Sequence, residues 1–113
     1  MSLRPDQRRA WLREMASARR AERRRQPEVA FAHLERAHII GQRDTVAHTA
    51  AHVAMLRFGV RHHDLREVAG QLVRIPAAIT KSRVWVPQGN TGGARVSPLK
   101  PMPVPHDLAR YVD

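Results

Sequence analysis

Apolar positions recur at helical spacing in four stretches of this chain, separated by short polar breaks. From Pro5 to Arg25 the stripe is Trp11, Leu12, Met15 and Ala18, and Pro5 suits a first helical turn with Ser2 or Asp6 nearby to meet its free amides. Gln26-Pro27 breaks that helix, and Pro27 opens the next. The second helix, about Pro27 to Ile40, buries Ala30, Phe31, Leu34 and Ala37, with Ile39 or Ile40 closing the stripe and Gly41 as its left-handed stop. The third is capped by Asp44 or Thr45 and runs to about Phe58 on small contacts (Ala47, Ala50, Ala51, Ala54, Leu56), with Gly59 ending it. Arg61-His62-His63-Asp64 is the next turn. Asp64 is the N-cap of a fourth helix, Glu67 stands at the capping-box spacing, and the stripe is Leu65, Val68, Leu72, Val73, Ile75 and Ile79, with a bend at Pro76.

After about Arg83 the helical period ends. Trp85-Val86-Pro87 leads into Gln88-Gly89-Asn90-Thr91-Gly92-Gly93 and then Lys100-Pro101-Met102-Pro103-Val104-Pro105, whose alternating prolines enforce an extended path. Trp85, Val86, Val96, Leu99, Met102 and Val104 give this tail an apolar side to lay across the helices, and His106 to Tyr111 adds a last helical turn. The expected fold is a single all-α domain over residues 1–113: two antiparallel helix hairpins, tetratricopeptide-like, over about 5–82, clasped by a Pro/Gly-rich C-terminal strap over about 83–113. Glu28-Val29-Ala30 recurs as Glu67-Val68-Ala69, but the rest of the second unit matches poorly, so the likeness is one of geometry.

The stretch Glu28 to Leu56 carries the sharpest chemistry. Folding its two helices back on each other about Arg43 sets His38 level with His48, and Glu35 level with His52. Glu35 and His38 are i, i+3 on one helix, and His48 and His52 are i, i+4 on the other, so each pair shares a face. Imidazole nitrogen with a carboxylate oxygen suits zinc, ferrous iron, nickel or copper(II), and lacks the softness that copper(I) prefers. The chain does not supply the second Glu-x-x-His and the two further glutamates of a di-iron carboxylate site, so the expected cofactor is one mononuclear divalent transition-metal ion. Gln71 and Glu67 stand ready behind it if the fourth helix packs beside the third. The bland alternative has His48 and His52 hydrogen-bonded to carbonyls and His38 serving a helix end. His33 falls well round the helix from His38 and is expected to face solvent, as is His62-His63.

Composition narrows the remaining classes. The 113 residues carry a formal charge of +10, with 20 Lys and Arg against 10 Asp and Glu. Nine arginines crowd the first helix and its end, with Arg19, Arg20, Arg23 and Arg24 as the candidate anion- or partner-binding set. No aromatic platform or recognition helix accompanies them, so sequence-specific nucleic-acid reading is unsupported, while an acidic protein or non-specific nucleic acid remains open. Phosphate binding of that kind falls with added salt, whereas metal binding by histidine falls with acid. There is no cysteine, which removes disulfides, thiolate ligands and thiol nucleophiles. No Ser-His-Asp arrangement is evident, and His48-Thr49-Ala50-Ala51-His52 lacks the glutamate that zinc proteases place after the first histidine, so enzyme chemistry is reachable only through a metal. Asn90-Thr91-Gly92-Gly93 lacks the Gly-Lys-Ser/Thr of a phosphate loop and reads as a chain reversal, with Arg95 and Lys100 flanking it. Without a signal peptide or an apolar run of membrane length, a cytoplasmic protein is expected, and its alanine-lined faces permit a homodimer.

Three strings are also familiar. HLERAHIIGQ, the His48-x-x-x-His52-x-x-Met55-Leu56 run and the tail PQGNTGGARVSPLKPMPVP resemble a small bacterial family, domain of unknown function 3703, over nearly the whole chain. The resemblance implies a self-contained domain and carries no activity, substrate or ligand set with it.

Overall fold

A computed structural model describes residues 2–81 and 86–112. Four helices follow in order, α1 (Pro5–Arg23), α2 (Pro27–Gly41), α3 (Thr45–Arg61) and α4 (Leu65–Lys81), and a 3-10 helix (His106–Tyr111) ends the described chain; no strand occurs among the described residues. Packing is between α1 and α2, α2 and α3, and α3 and α4, with the 3-10 helix resting on α1 and α2. The beginning of the expected strap, including Trp85, lies outside the described residues.

Helix ends are set by backbone chemistry more than by glycine. At the start of α1 the Gln7 carboxamide accepts from the Arg4 N–H (2.7 Å) and donates to the Tyr111 carbonyl (2.8 Å), which ties the two chain ends together. Gln7 adds to the role expected of Ser2 or Asp6, and the Asp6 carboxylate stands in the first turn as expected. At the other end Arg25 adopts φ 58°, and the Gln26 N–H reaches back to the Ala21 carbonyl (2.9 Å), closing a Schellman turn two residues earlier than the hydrophobic pattern suggests. The same device ends α3. His63 sits at φ 57°, and the Asp64 N–H donates to the Gly59 carbonyl (2.8 Å), so Gly59 is inside the helix and is not its stop. Side chains at such positions cost about 1–2 kcal/mol, partly offset by the entropy glycine loses on folding. His63→Gly is therefore expected to stabilise the fold by roughly 0.5–1 kcal/mol, read as a higher urea midpoint at unchanged slope; an unchanged or lower midpoint would refute the strain.

Gly41 also departs from its expected role. It stays helical, and a Cβ there would lie 2.8 Å from the Ala47 Cβ and 3.0 Å from the Trp11 indole, so the glycine allows α1 and α3 to approach the end of α2. Asp44 then caps α3 by accepting from the Ala47 N–H (2.8 Å).

Two small apolar cores result. One joins Ala18, Ala21, Ala30, Leu34, Met55 and Phe58, with the Phe31 and Phe58 rings edge to face at 5.1 Å. The other joins Ala10, Ile39, Ile40 and Leu108, with Trp11, Val104 and Tyr111 against it. Between them the interior is polar: His38, His48, His52, Gln42, Glu67, Gln71 and Asn90 are all buried.

The fourth helix corrects the hydrophobic pattern most clearly. Its inward face is Glu67, Gln71 and Ala78, while Leu65, Leu72, Val73 and Ile79, expected in the core, are each more than half exposed. Periodicity identifies the two faces of a helix but not which one its neighbours satisfy. Here the polar face is taken inward because the C-terminal segment offers it hydrogen bonds. The capping box is correspondingly half made. Asp64 accepts from the Glu67 N–H (3.1 Å), but the Glu67 carboxylate accepts from the Ala94 N–H (3.1 Å to both oxygens) and the Gln71 amide.

The segment from 87 to 100 is a closed loop organised by Asn90. Its amide donates to the Ser97 and Lys100 carbonyls (2.7 Å each), and its side-chain oxygen accepts from the Gly92 N–H (2.9 Å). Positive φ falls at Gly89 and Gly92, and Gly93 needs none. Arg95 pairs with Asp64 (2.8 Å), which fastens the loop to the start of α4.

Candidate metal centre

The α2–α3 register and the buried face of α3 bring His38, His48 and His52 to one point. Their three Nε2 atoms are mutually 3.1 Å apart, and all three residues are buried. Two tautomers are fixed from behind. The His38 Nδ1–H donates to the Asn90 carbonyl (2.8 Å), which can only accept. The His52 Nδ1–H donates to the Gln71 side-chain oxygen (2.6 Å), because the Gln71 amide nitrogen is already donating to Glu67 (2.5 Å) and to the Gly92 carbonyl (2.9 Å). Both neutral rings therefore present an Nε2 lone pair to the centre of the cluster.

Lone pairs held 3.1 Å apart repel unless a proton or a metal cation lies among them. His48 is free to supply the proton, since its buried Nδ1 has no partner among the described residues that would fix the other tautomer. With Nε2 protonated it donates to the cluster and leaves Nδ1 bare. A metal ion would displace that proton and leave it on Nδ1.

Burial keeps the rings neutral. It holds His38 well below the ordinary histidine range, with the neighbouring histidines adding to the effect. Burial likewise pushes His48 down to about 3 and His52 down to about 4, the latter against the opposing hydrogen bond that His52 donates to Gln71. Neutral imidazole is the form that binds a metal.

A folded-state pKa below the unfolded value means that the unfolded chain binds more protons. The stability gained by holding these rings neutral is thus complete above about pH 6.5 and is lost as pH falls toward the folded-state values. With three such rings the slope approaches about 4 kcal/mol per pH unit. Metal-free protein is expected to show a markedly lower urea midpoint at pH 5.5 than at pH 7.5; equal midpoints would contradict three buried neutral rings.

Glu35, the fourth expected ligand, does not join the cluster. It is on the same face of α2, one turn before His38, but residues 90–92 cover that face: Asn90 and Gly92 take His38, and Thr91 faces Glu35. Burial raises the Glu35 carboxyl, with the Thr91 hydroxyl opposing and the Glu67 charge adding. His33 is half-buried, not solvent-facing, and hydrogen-bonds Glu14 (2.7 Å). His62 packs on the Phe58 ring at 4.2 Å, and His63 is exposed at the turn. Arg19, Arg20, Arg23 and Arg24 are exposed at the end of α1; Arg20 donates to Ser17 (3.0 Å), and Arg19 and Arg23 border a groove of about 910 Å³ between α1 and α3.

Two participants carry no sequence signal as ligand supports. Asn90 acts through its main-chain carbonyl, and Gly92 acts through having no side chain. A Cβ on Gly92 would stand 2.5–2.7 Å from the His38 ring, and φ there is 83°. The glycine clusters of the tail were the only available signal, and they read simply as turns.

Comparison with known proteins gives a family model, described as Protein of unknown function (DUF3703), that matches residues 5–112. No curated protein and no solved structure matches the chain. No helix among the described residues is long and apolar enough to cross a membrane.

Proposed function

The chain belongs to the DUF3703 family, and we propose that it is a small helical metal-binding protein that holds one divalent transition-metal ion through Nε2 of His38, His48 and His52. The observation that carries this reading is the triangle of nitrogens 3.1 Å on a side with two lone pairs aimed inward by fixed tautomers. At metal–nitrogen distances of about 2.0–2.1 Å, such a triangle subtends about 100° at the ion, between octahedral and tetrahedral values. The ion then sits above the plane of the nitrogens, with at least one position open beyond them.

Zinc, ferrous iron, nickel and copper(II) suit an all-imidazole set. Behind it, the Glu67–Gln71–His52 relay and the Asn90–His38 bond orient two of the three ligands, as outer partners do at metal sites. Glu35 then acts from outside the ligand set as a nearby carboxyl and not as a donor. The helices read as two tetratricopeptide-like hairpins, α1–α2 and α3–α4, with the site on the seam between them and the C-terminal segment as a clasp. The role that follows is sequestration of the ion, or stabilisation of the seam by it, since a ligand that binds only the folded state raises stability by mass action.

The test is titration of EDTA-stripped protein with zinc, cobalt(II) or nickel, followed by elemental analysis and thermal melting. One equivalent per chain with a raised melting temperature is expected. Absence of both would reduce the cluster to a hydrogen-bonded core of histidines.

The second reading is a metal-free scaffold whose basic face takes an acidic protein or nucleic acid. The observation favouring it is the groove between α1 and α3, with apolar Met15, Val46 and Val53 in its lining and Arg19, Arg23 and Arg57 among its charges. Charge reversal at Arg19, Arg20, Arg23 and Arg24 that leaves salt-sensitive binding intact would remove it.

A further inference from the structure

Beside the three histidines lies a cavity of about 60 Å³, and among its charged and polar walls is Arg74. The guanidinium is half-buried. Its Nη2 donates to the Val96 carbonyl (2.8 Å), while its Nε is buried with no partner among the described residues. Its positive charge is felt at both His38 and His52, each of which it pushes further down.

Among the described residues no carboxylate lines the same cavity. Glu67, the acid closest in the hydrogen-bond chain, is one residue removed behind Gln71 and is already engaged by Gln71 and the Ala94 N–H. Gln42, another polar wall, is committed to the Pro87 carbonyl (3.0 Å). The rest of the lining is largely apolar, including Ala78, Pro87 and Leu99.

This arrangement has a charge consequence that rests on the metal reading above. Three neutral imidazoles leave the full charge of a divalent ion uncompensated by its ligands, and Arg74, whose own charge is partly answered by Glu67, adds a cation to the same cavity wall. Excess positive charge in a half-enclosed, largely apolar cavity is costly unless an anion accompanies it. We infer that the open coordination position takes a small oxyanion of carboxylate or hydrogencarbonate size, with one oxygen on the metal and the anion accepting a hydrogen bond from the Arg74 Nε–H. Volume limits the class. A space of about 60 Å³ holds on the order of a few waters, enough for a three- or four-atom anion and too little for a nucleotide, a sugar phosphate or an aromatic acid. Arg74 sits there in place of a neutral side chain because a guanidinium offers directional N–H donors to an oxyanion as well as charge.

The test uses the full chain loaded with one equivalent of cobalt(II), whose visible absorption reports its ligand set. Sodium formate is expected to change that spectrum saturably at millimolar concentration, and benzoate to leave it unchanged. Arg74→Met is expected to keep the cobalt stoichiometry and weaken formate at least tenfold. Arg74→Lys, which keeps the charge but loses Nε, is expected to fall between the two and carries the comparison should the methionine variant not fold. Cobalt that binds but ignores formate, benzoate acting as strongly as formate, or undiminished formate affinity in the folded Arg74 variants would overturn the anion and leave the metal site standing. Protein that binds no cobalt at all would overturn the metal reading itself, and this one with it.

Discussion

His52→Ala is expected to abolish stoichiometric metal binding, lowering affinity roughly 100-fold or more, because it removes one of only three protein donors and the relay behind it. His52 is the donor with the deepest support: its Nδ1–H meets Gln71, and Gln71 is held by Glu67 and the Gly92 carbonyl. Gln71→Leu should therefore act on the same property more weakly, by about 10–100-fold, since the imidazole stays but its tautomer and direction are no longer fixed. In metal-free protein His52→Ala leaves the buried Gln71 oxygen without its donor, which costs about 1–3 kcal/mol. The two consequences separate cleanly by measurement. Urea melts in EDTA report the hydrogen bond, and competition against a chromophoric zinc indicator reports the ligand. His33→Ala serves as the control, since His33 bonds Glu14 away from the cluster; it should leave metal affinity unchanged. If His52→Ala binds metal as tightly as the parent, the three-histidine centre is wrong.

Much of this site is readable in the sequence because it depends on short-range geometry. The turn after Ile40 and the helical periods of α2 and α3 are enough to set His38 opposite His48 and His52, whatever the rest of the chain does. Gln71 and Glu67 could be named as supports because, one turn apart, they share one face of α4. Glu35 obeyed the same arithmetic and still fell outside the cluster. Its position along the helix was right, but a loop some fifty residues later covers the space between it and His38, and helical spacing contains no information about that loop. The inward polar face of α4 escaped for the same reason. Leu65, Leu72, Val73 and Ile79 announce an apolar stripe, while the partners that draw Glu67 inward are the main-chain N–H of Ala94 and the amide of Gln71, and a main-chain group leaves no mark in a sequence. Helix ends show a related limit: Gly41 and Gly59 look like stops, but the left-handed positions belong to Arg25 and His63, where closure of the following turn outweighs the strain of a side chain.

Gly92→Ala is the single-methyl change that strikes the histidine cluster most directly. At φ 83° a Cβ costs about 1–2 kcal/mol by itself, and forcing it against a packed ring adds about 1–3 kcal/mol more. The ring it meets is His38, with the Cγ, Cδ2 and Nε2 atoms all within 2.7 Å of where that Cβ would stand. Relief requires either the imidazole to swing, which moves its Nε2 out of the triangle, or the loop to lift, which withdraws the Asn90 carbonyl that fixes the ring's tautomer. Both routes end at the same ligand, so metal affinity and thermal stability should fall together. Gly93→Ala is the matched comparison one residue on. It needs no positive φ, and its Cβ would meet the edge of the Phe31 ring at 3.2 Å, a contact that a small side-chain shift relieves, and the Glu67 Oε1 at an ordinary contact distance of 3.8 Å. Melting curves of both variants with and without zinc decide the matter. A large loss confined to Gly92→Ala, with the zinc-dependent rise in melting temperature gone, ties the glycine to the histidine it shelters; equal losses at both glycines would instead mean that the loop merely needs flexibility, and that its packing on His38 is incidental to the metal centre.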